Sequence, residues 1–303
     1  MPIHGHKKTL ETGLNPQSGA KALNALQKYA IDSTRLGIPI LFAEECPHGH
    51  MAIGTTVFPT SLAQASTWDK ELMYKMGETI ALEARLQGAN IGYGPVLDIA
   101  REPRWSRMEE TFGEDPVLTS TLGVAFMKGM QGEVQNDGKH LFSTLKHFAA
   151  YGIPESGHNG ARANIGMRQL FSDYLHPFKK AVEAGAGTIM TSYNSIDGVP
   201  CTANKYLLSD ILRKEWGFNG FVYSDLSSIE GITGARVAKS QRSLSIGFKG
   251  RSRYGFRGKR LWKKPSTGIK RKTYRYAGYR QGGCQYTPSQ IPYGIIRKPV
   301  CIS

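Results

Sequence analysis

"GFVYSDL", at residues 220–226, is the stretch of sequence that decides the fold. Its apolar run ends in Ser224 and Asp225. A short apolar run bounded by glycine predicts a buried strand. The carboxylate that follows fits two interpretations, which its position alone leaves equally open. It is either the N-cap of a following helix or an acidic group in a site at the C-terminal end of the strand.

Four further segments have the same design. They are "GIPILFAEE" (37–45), "ANIGYGPVLDIA" (89–100), "FSTLKHFAAYG" (142–152) and "GTIMTSYNSIDG" (187–198). Each is a largely apolar run bounded by glycine or proline, and each carries polar side chains near its C-terminal end. These polar side chains are Glu44 and Glu45, Asp98, Lys146 and His147, and Ser192, Tyr193 and Asn194. Polar residues at the C-terminal ends of successive parallel strands are how a (β/α) barrel builds its active site.

Amphipathic segments separate the predicted strands. They cover residues 61–88, 116–132, 167–185 and 204–217, and glycines at 88, 185 and 217 lie where helices should end. Alternation of strands and helices predicts a parallel sheet with crossover helices. Periodicity alone fits both a barrel and a doubly wound sheet. The polar strand ends favour an α/β fold of the (β/α)8 TIM-barrel type.

Charge divides the chain into two unlike parts. Residues 239–303 contain 17 Lys and Arg and no Asp or Glu, whereas residues 1–238 contain 22 basic and 24 acidic residues. We expect a barrel domain over 1–238 and a disordered basic tail over 239–303. The tail has two interpretations. Out-of-frame translation explains the abrupt loss of acidic residues and is favoured. A basic, aromatic-rich arm that binds nucleic acid is the alternative.

The sequence argues against several classes of protein. No run of eighteen apolar residues predicts a transmembrane helix, and the first residues, "MPIHGHKKTLETGLNPQ", lack the apolar core of a secretory signal. The compartment therefore stays undefined. The four cysteines have no CxxC spacing, so neither a metal site nor a disulfide framework is expected. Pro95 follows the Gly92-x-Gly94 pair where a dinucleotide fingerprint would open a helix, and no cofactor is expected.

The segment "REPRWSRMEETFGEDP", at 101–116, is crowded with charges of both signs around Trp105. It is either a solvated ion-pair network or a source of arginine donors for ligand hydroxyls, with Trp105 as a stacking face. Lys146 lies inside an apolar run and is costly to bury without an anionic partner. Carboxylates with Lys, His and Arg donors, and no phosphate-binding loop, suit a neutral polyhydroxylated ligand such as a sugar, whose anomeric carbon a carboxylate can attack.

At these residues the chain resembles glycoside hydrolase family three, the β-glucosidase group, over that family's N-terminal barrel domain. Five segments carry the resemblance, in the family's order: "LGIPILFAEECPHG", "GYGPVLDIAREPRWSRMEETFGEDP", "LKHFAAYG", "MTSYNSIDGVP" and "LRKEWGFNGFVYSD". They are similar to the family signatures "LGIP…(D/E)…HG", "PVxDxxRDPRWGRxxEtfGEDP", "KHF", "M.SYN..(D/N)G.P" and "LR.ewGF.G.V.SD". Together they cover residues 36 to about 238, most of the chain.

The resemblance implies that Asp225 is the catalytic nucleophile. It implies substrate-binding roles at five matching positions: Glu45, Arg107, Lys146, His147 and Tyr193. Asp98 lies in the signature strand and is a further candidate. The implied reaction is retaining hydrolysis that releases a terminal non-reducing β-D-glucosyl or related residue from a small β-glucoside or oligosaccharide, without a cofactor or metal.

The chain also departs from the family pattern. The resemblance implies that the first barrel strand with its leading helix, and the last strands, lie outside this sequence. It implies the same for a second domain that supplies the general acid/base, so turnover by this chain alone is doubtful. Ser106 replaces a usual glycine, which a negative φ would tolerate. Two other functions stay open: a non-catalytic sugar-binding barrel, and nucleic-acid binding through the tail.

Overall fold

Parallel strands form the centre of the molecule. The computed structural model describes residues 15–133 and 137–234. Within them, five strands form one sheet in the order β1–β2–β3–β4–β7, and every neighbouring pair is parallel. The strands are β1 (Ala43–Glu45), β2 (Ile91–Val96), β3 (Phe142–Phe148), β4 (Thr188–Thr191) and β7 (Phe221–Ser224). A short antiparallel hairpin, β5 (Ser195–Ile196) and β6 (Val199–Pro200), follows β4.

Helices connect the strands. They are α1 (Pro16–Asp32), α2 (Ser61–Ala65), α3 (Lys70–Leu86), α4 (Pro116–Gln131), α5 (Met167–Gln169), α6 (His176–Glu183) and α7 (Ser228–Gly234). A π turn, Leu170–Tyr174, separates α5 from α6, and a π-helix, Tyr206–Glu215, precedes β7. Asp69 and Asp115 cap α3 and α4, because their carboxylates accept the backbone N–H of the residue three positions on. The result is a curled parallel half-barrel, which confirms the predicted α/β barrel class.

The predicted elements are present with shifted bounds. The segment at 37–45 contributes only three strand residues, and the segment at 61–88 divides into α2 and α3. The segment at 187–198 begins as β4 and continues into the hairpin. The glycines at 88, 185 and 217 all have positive φ, as helix-ending residues do. The sequence pattern gives no helix ahead of β1, yet α1 lies there, with Asn15 accepting from Ser18 N–H at 2.8 Å.

Alternation along the strands divides the core into two layers. On β3, β4 and β7, Leu145, Ile189 and Val222 face outward into the large cluster beneath the helices. Their neighbours Met190 and Tyr223 belong to the cluster on the sheet's other face. Because side chains alternate with period two, each strand presents one apolar set to the helices and another to the barrel interior. All five strands are parallel, so their C-terminal ends share one edge of the sheet, where the site is built.

Helices α3 and α4 pack with their backbones in close contact. A Cβ at Gly129 would lie 2.0 Å from the carbonyl oxygen of Tyr74, and a Cβ at Gly77 would lie 2.4 Å from that of Phe126. Carbonyl oxygens in helices cannot swing away as flexible side chains do. Glycine is therefore required at this crossing, since a methyl group would push the helices apart.

We predict that Gly129→Ala lowers the free energy of unfolding by about 2–3 kcal/mol, the upper range for overpacked contacts. Gly231→Ala is the matched control, because Gly231 also lies in a helix but no atom of the described residues lies within 4 Å of the position its Cβ would take. The control should be neutral or raise the free energy by up to about 1 kcal/mol, through helix propensity. Urea denaturation followed by circular dichroism measures both, and equal effects of the two substitutions would contradict the close-packing argument.

No helix in the described ranges is both long enough and apolar enough to span a membrane.

Candidate active site

Lys146 lies at the C-terminal end of β3 and pairs with an acidic residue two strands away. Its Nζ donates to Glu45 Oε2 at 2.7 Å. The Lys146 side chain is only 4% exposed, whereas that of Glu45 is 37% exposed. The structure thus supplies the anionic partner that a lysine in an apolar strand requires. Among the described residues, the exposed part of the Glu45 carboxylate is accessible to a ligand.

His147 follows Lys146 and is held from both sides of its ring. Its Nδ1 lies 2.8 Å from Asp98 Oδ2, and its Nε2 lies 3.1 Å from Arg107 Nη2. A guanidinium can only donate hydrogen bonds, so Nε2 must accept. The ring proton therefore lies on Nδ1 and is donated to Asp98. The Asp98 carboxyl also accepts the His147 backbone N–H at 3.2 Å.

Burial controls the protonation of this pair. Both side chains are almost fully enclosed. Burial raises the pKa of Asp98 to about 8, although the Arg107 charge and the His147 backbone N–H act in the opposite direction. Burial also lowers the pKa of His147 well below its usual value, and the charges of Arg107 and Lys146 add to that effect. At neutral pH, His147 is therefore an uncharged imidazole with a fixed tautomer.

Arg107 is anchored by a carboxylate in the same loop. Its Nε and Nη2 each donate to one oxygen of Glu110 at 2.7 Å, which makes a two-point fork. Its Nη1 lies 3.4 Å from the hydroxyl of Tyr151, and its guanidinium carbon lies 5.4 Å from the centre of that ring. Two-point pairing fixes the plane of a guanidinium. Arg107 is thus oriented before any ligand arrives.

Asp225 lies immediately after β7 and close to these groups. Its Oδ2 is 3.7 Å from His147 Nε2, and its Oδ1 accepts the Leu226 N–H at 2.6 Å. Its carboxylate does not act as the helix cap that the sequence left open, because α7 begins only at Ser228. Burial raises the pKa of Asp225, while the hydrogen bond from Leu226 N–H and the neighbouring Tyr193 hydroxyl lower it to a smaller extent.

Aromatic rings form one wall beside His147. The Tyr151 ring centre lies 5.0 Å from that of His147 and 6.0 Å from that of Tyr193. Tyr193 also donates its hydroxyl to Leu226 O at 2.8 Å, next to Asp225. Trp105 packs edge-on against Tyr151 at 5.0 Å and is 2% exposed. The expectation that Trp105 offers a stacking face to a ligand is therefore wrong, because its ring is buried under Tyr151.

The structure brings the predicted set together. Lys146 contacts Glu45. His147 contacts Asp98 through one ring nitrogen and Arg107 through the other, and Asp225 lies next to it. The sequence reasoning missed Tyr151, whereas the pairing of Arg107 with Glu110 is one of the ion pairs expected of the charged segment at 101–116. Tyr151 lies four residues beyond His147 in the same quoted segment, so an aromatic beside the "KHF" motif was an available signal.

Other polar residues near the strand ends are used differently. Glu44 is largely buried and lies 3.7 Å from His50, on a different side of β1 from Glu45. Arg101 and Arg104 form ion pairs with Asp173 and Glu102. Ser106 is not among the described residues with positive φ, so its replacement of glycine fits the backbone there. Within the described ranges, no three His, Cys, Asp or Glu side chains converge as metal ligands.

The fold and the site define an α/β half-barrel protein with a cluster of carboxylates and fixed donors at the carboxyl ends of its strands. Residues 7–248 match the family described as "Glycosyl hydrolase family 3 N terminal domain", and the chain belongs to that family. This confirms the resemblance carried by the five sequence motifs.

Relatives with known names agree with this membership. The chain is 39% identical over 208 residues to a periplasmic beta-glucosidase of Salmonella typhimurium, and the match covers 69% of this chain and 27% of that protein. It is 45% identical over 204 residues to a beta-xylosidase of Formosa agariphila, covering 64% of this chain and 28% of that protein. The chain thus spans little more than a quarter of the length of either relative.

Solved structures show the same relationship. The β-glucosidase EmGH1 of Erythrobacter marinus superposes with a TM-score of 0.80 at 35% identity, covering 84% of this chain and 34% of that one. The beta-glucosidase of Listeria innocua superposes with a TM-score of 0.77 at 32% identity, with the same coverages. The Listeria enzyme has been solved with glucose and, as a mutant, with laminaribiose. The predicted change of character near residue 239 lies outside the described residues and stays a prediction.

Proposed function

We propose that this chain forms the nucleophile-bearing sugar site of a retaining β-glucosidase-type hydrolase, with Asp225 as the nucleophile. The observation that carries the proposal is the position of the Asp225 carboxylate, 3.7 Å from a neutral His147 within a set of fixed donors. Lys146 and Arg107 donate to sugar hydroxyls, and Glu45 accepts from them. Neutral His147 accepts from Arg107 through Nε2, and this contact helps to hold the guanidinium in place for the sugar.

The proposed chemical step uses the Asp225 oxygen closest to the sugar. That oxygen attacks the anomeric carbon, a new carbon–oxygen ester bond forms, and the bond to the leaving oxygen breaks with its electron pair. A general acid then protonates the leaving oxygen, and the same group later activates the water that releases the sugar. A leaving group that is already stable as an anion departs without that acid.

The experiment that tests the proposal is therefore independent of any general acid. The chain is incubated with 2,4-dinitrophenyl 2-deoxy-2-fluoro-β-D-glucoside, and intact-protein and peptide mass spectrometry locate any attached fluoroglucosyl group. We expect one group per chain, on Asp225. The corresponding xyloside tests the second sugar that the relatives' names raise. Glucose binding without labelling would instead identify a non-catalytic sugar-binding barrel. Nucleic-acid binding that falls steeply with salt would instead support the alternative of a nucleic-acid-binding tail.

We predict that labelling depends on pH through Asp225. The attacking carboxylate must be ionised, and burial raises the pKa of this group. The labelling rate should therefore rise with pH and reach its plateau above the usual titration range of an aspartate, near pH 4. Stopped-flow release of dinitrophenolate between pH 3.5 and 7.5, with unfolding checked at each pH, measures the profile. A profile with its midpoint at about pH 4 would show that the carboxylate is not shielded from water.

A further inference from the structure

Asn159 lies in the loop after β3 and holds two aromatic side chains of the site. Its Oδ1 accepts from Trp105 Nε1 at 2.9 Å and from the Tyr151 hydroxyl at 2.6 Å. An indole N–H can only donate, so chemistry fixes the amide with its oxygen toward both rings. Asn159 itself is exposed, whereas Trp105 and Tyr151 are buried. A surface amide thus satisfies two polar groups that belong to the interior.

The two rings connect Asn159 to the ligand-facing groups. The Tyr151 hydroxyl donates to Asn159, so its oxygen is free to accept from Arg107 Nη1 at 3.4 Å. The face of Tyr151 lies against the Arg107 guanidinium, and its ring packs against His147. Trp105 precedes Arg107 by two residues in the loop between β2 and α4. One amide oxygen therefore joins the loop that carries Arg107 to the loop that follows His147.

We propose that Asn159 is a positioning residue for sugar recognition. It holds Tyr151 and Trp105 so that Arg107 keeps its orientation toward His147. The inference rests on the proposed function of the site. The amide acts through Tyr151 and Arg107 on the binding of the sugar, and it does not reach the attacking oxygen of Asp225. Loss of its acceptor should therefore weaken binding much more than it slows the chemical step.

Three variants separate this role from a general structural one. Asn159→Leu has nearly the same shape but no acceptor, and Asn159→Asp keeps acceptor oxygens in the same place. Asn164→Leu is the matched control, because Asn164 is an exposed amide of the same loop whose partner is Glu155. Asn159→Ala replaces the leucine variant if that variant does not unfold cooperatively.

The first readout is the saturation kinetics of dinitrophenolate release from the fluoroglucoside. For Asn159→Leu we expect the half-saturating concentration to rise about tenfold. This is the size of one lost hydrogen bond between the charged Arg107 and a sugar hydroxyl. The maximal rate should stay within about twofold, since the reacting groups are unchanged. Asn159→Asp and Asn164→Leu should remain close to wild type. A leucine variant with wild-type saturation would overturn the inference, as would an equal loss in Asn164→Leu.

The second readout is spectroscopic and needs no turnover. In ¹⁵N-resolved NMR spectra, Asn159→Leu should shift the Trp105 indole and the Arg107 Nε resonances, whereas Asn159→Asp should leave both near their wild-type positions. Trp105→Phe and Arg107→Met assign the signals. If the wild-type chain is neither labelled nor binds glucose, the proposed function fails, and these shifts still decide whether Asn159 positions Arg107. Unchanged signals in Asn159→Leu would refute the positioning role.

Discussion

Asp225→Ala should abolish covalent labelling by the dinitrophenyl fluoroglucoside, with a rate at least roughly 10⁴-fold below that of the wild-type chain. The substitution removes the oxygen that forms the new ester bond. The His147 Nε2 atom, 3.7 Å away, is neutral and is held by Arg107. It therefore offers a poor substitute nucleophile.

The substitution should be mild for folding. In the described chain, the Asp225 side chain accepts the Leu226 N–H and the Tyr193 hydroxyl lies beside it, so its removal costs about 1 kcal/mol. Asp210→Ala is the matched control, because Asp210 is an aspartate of the π-helix that pairs with Lys205 and Lys214. The control should label at the wild-type rate. Residual labelling of Asp225→Ala at another carboxylate would move the nucleophile elsewhere and sink the proposal.

Much of the fold follows from two simple patterns. Short apolar runs with polar ends specify the strands, and their alternation with amphipathic segments specifies the parallel order. What the pattern misses is local. The division of 61–88 into α2 and α3 occurs at Trp68, which has a positive φ of 56°. The π turn before α6 likewise has no period of its own in the sequence, because it only adds a residue to a helical pattern.

The site was predictable to the extent that strand ends carry it. Glu45, Lys146, His147 and Asp225 follow from their position, since parallel strands bring those ends together. Contacts between loops were not predictable in the same way. Asn159 looks like any loop amide in the sequence, and its importance comes from two rings that tertiary structure places beside it. Composition of a loop does not tell which of its polar groups faces inward.

Asp98 shows most clearly how far the position of a residue in the sequence predicts its role in the site. The sequence made it a further candidate for the site without defining its role, and its side chain has no exposed surface and lies behind His147. Its Oδ2 accepts both the backbone N–H and the ring N–H of His147, and its Oδ1 has no hydrogen-bond partner within the described residues. In this geometry Asp98 supports His147. The protonation state of Asp98 should therefore show in the free energy of unfolding.

Asp98→Ala should lower the free energy of unfolding by about 3–5 kcal/mol, because it leaves two buried donors of His147 without an acceptor and opens a cavity. Asp98→Asn should be far milder. A carboxyl with a pKa of about 8 is mostly protonated at pH 7, and an amide with its oxygen at the Oδ2 position reproduces the same two acceptor contacts. Glucose binding should follow the same order, lost in the alanine variant and retained in the asparagine variant.

The pH dependence of stability distinguishes a protonated Asp98 from an ionised one. The folded pKa of about 8 lies above the unfolded value near 4, so the unfolded chain releases this proton first as the pH rises. Stability contributed by the protonated group is therefore lost as the pH rises toward 8. His147 acts in the opposite direction, because its folded pKa is lowered, but only below its unfolded value near 6.5. The interval from pH 6.5 to 8.5 thus isolates Asp98.

Over that interval the wild-type chain should lose about 2 kcal/mol relative to Asp98→Asn, as linkage requires for a proton bound only in the folded state. Urea denaturation of both proteins at pH 6.5, 7.5 and 8.5 measures the difference. A constant difference across the interval, with the asparagine variant several kcal/mol less stable throughout, would mean that Asp98 is an ionised carboxylate. His147 would then be paired with a carboxylate that carries a full negative charge. Its Nε2 would be a stronger hydrogen-bond acceptor than it is beside a neutral carboxyl.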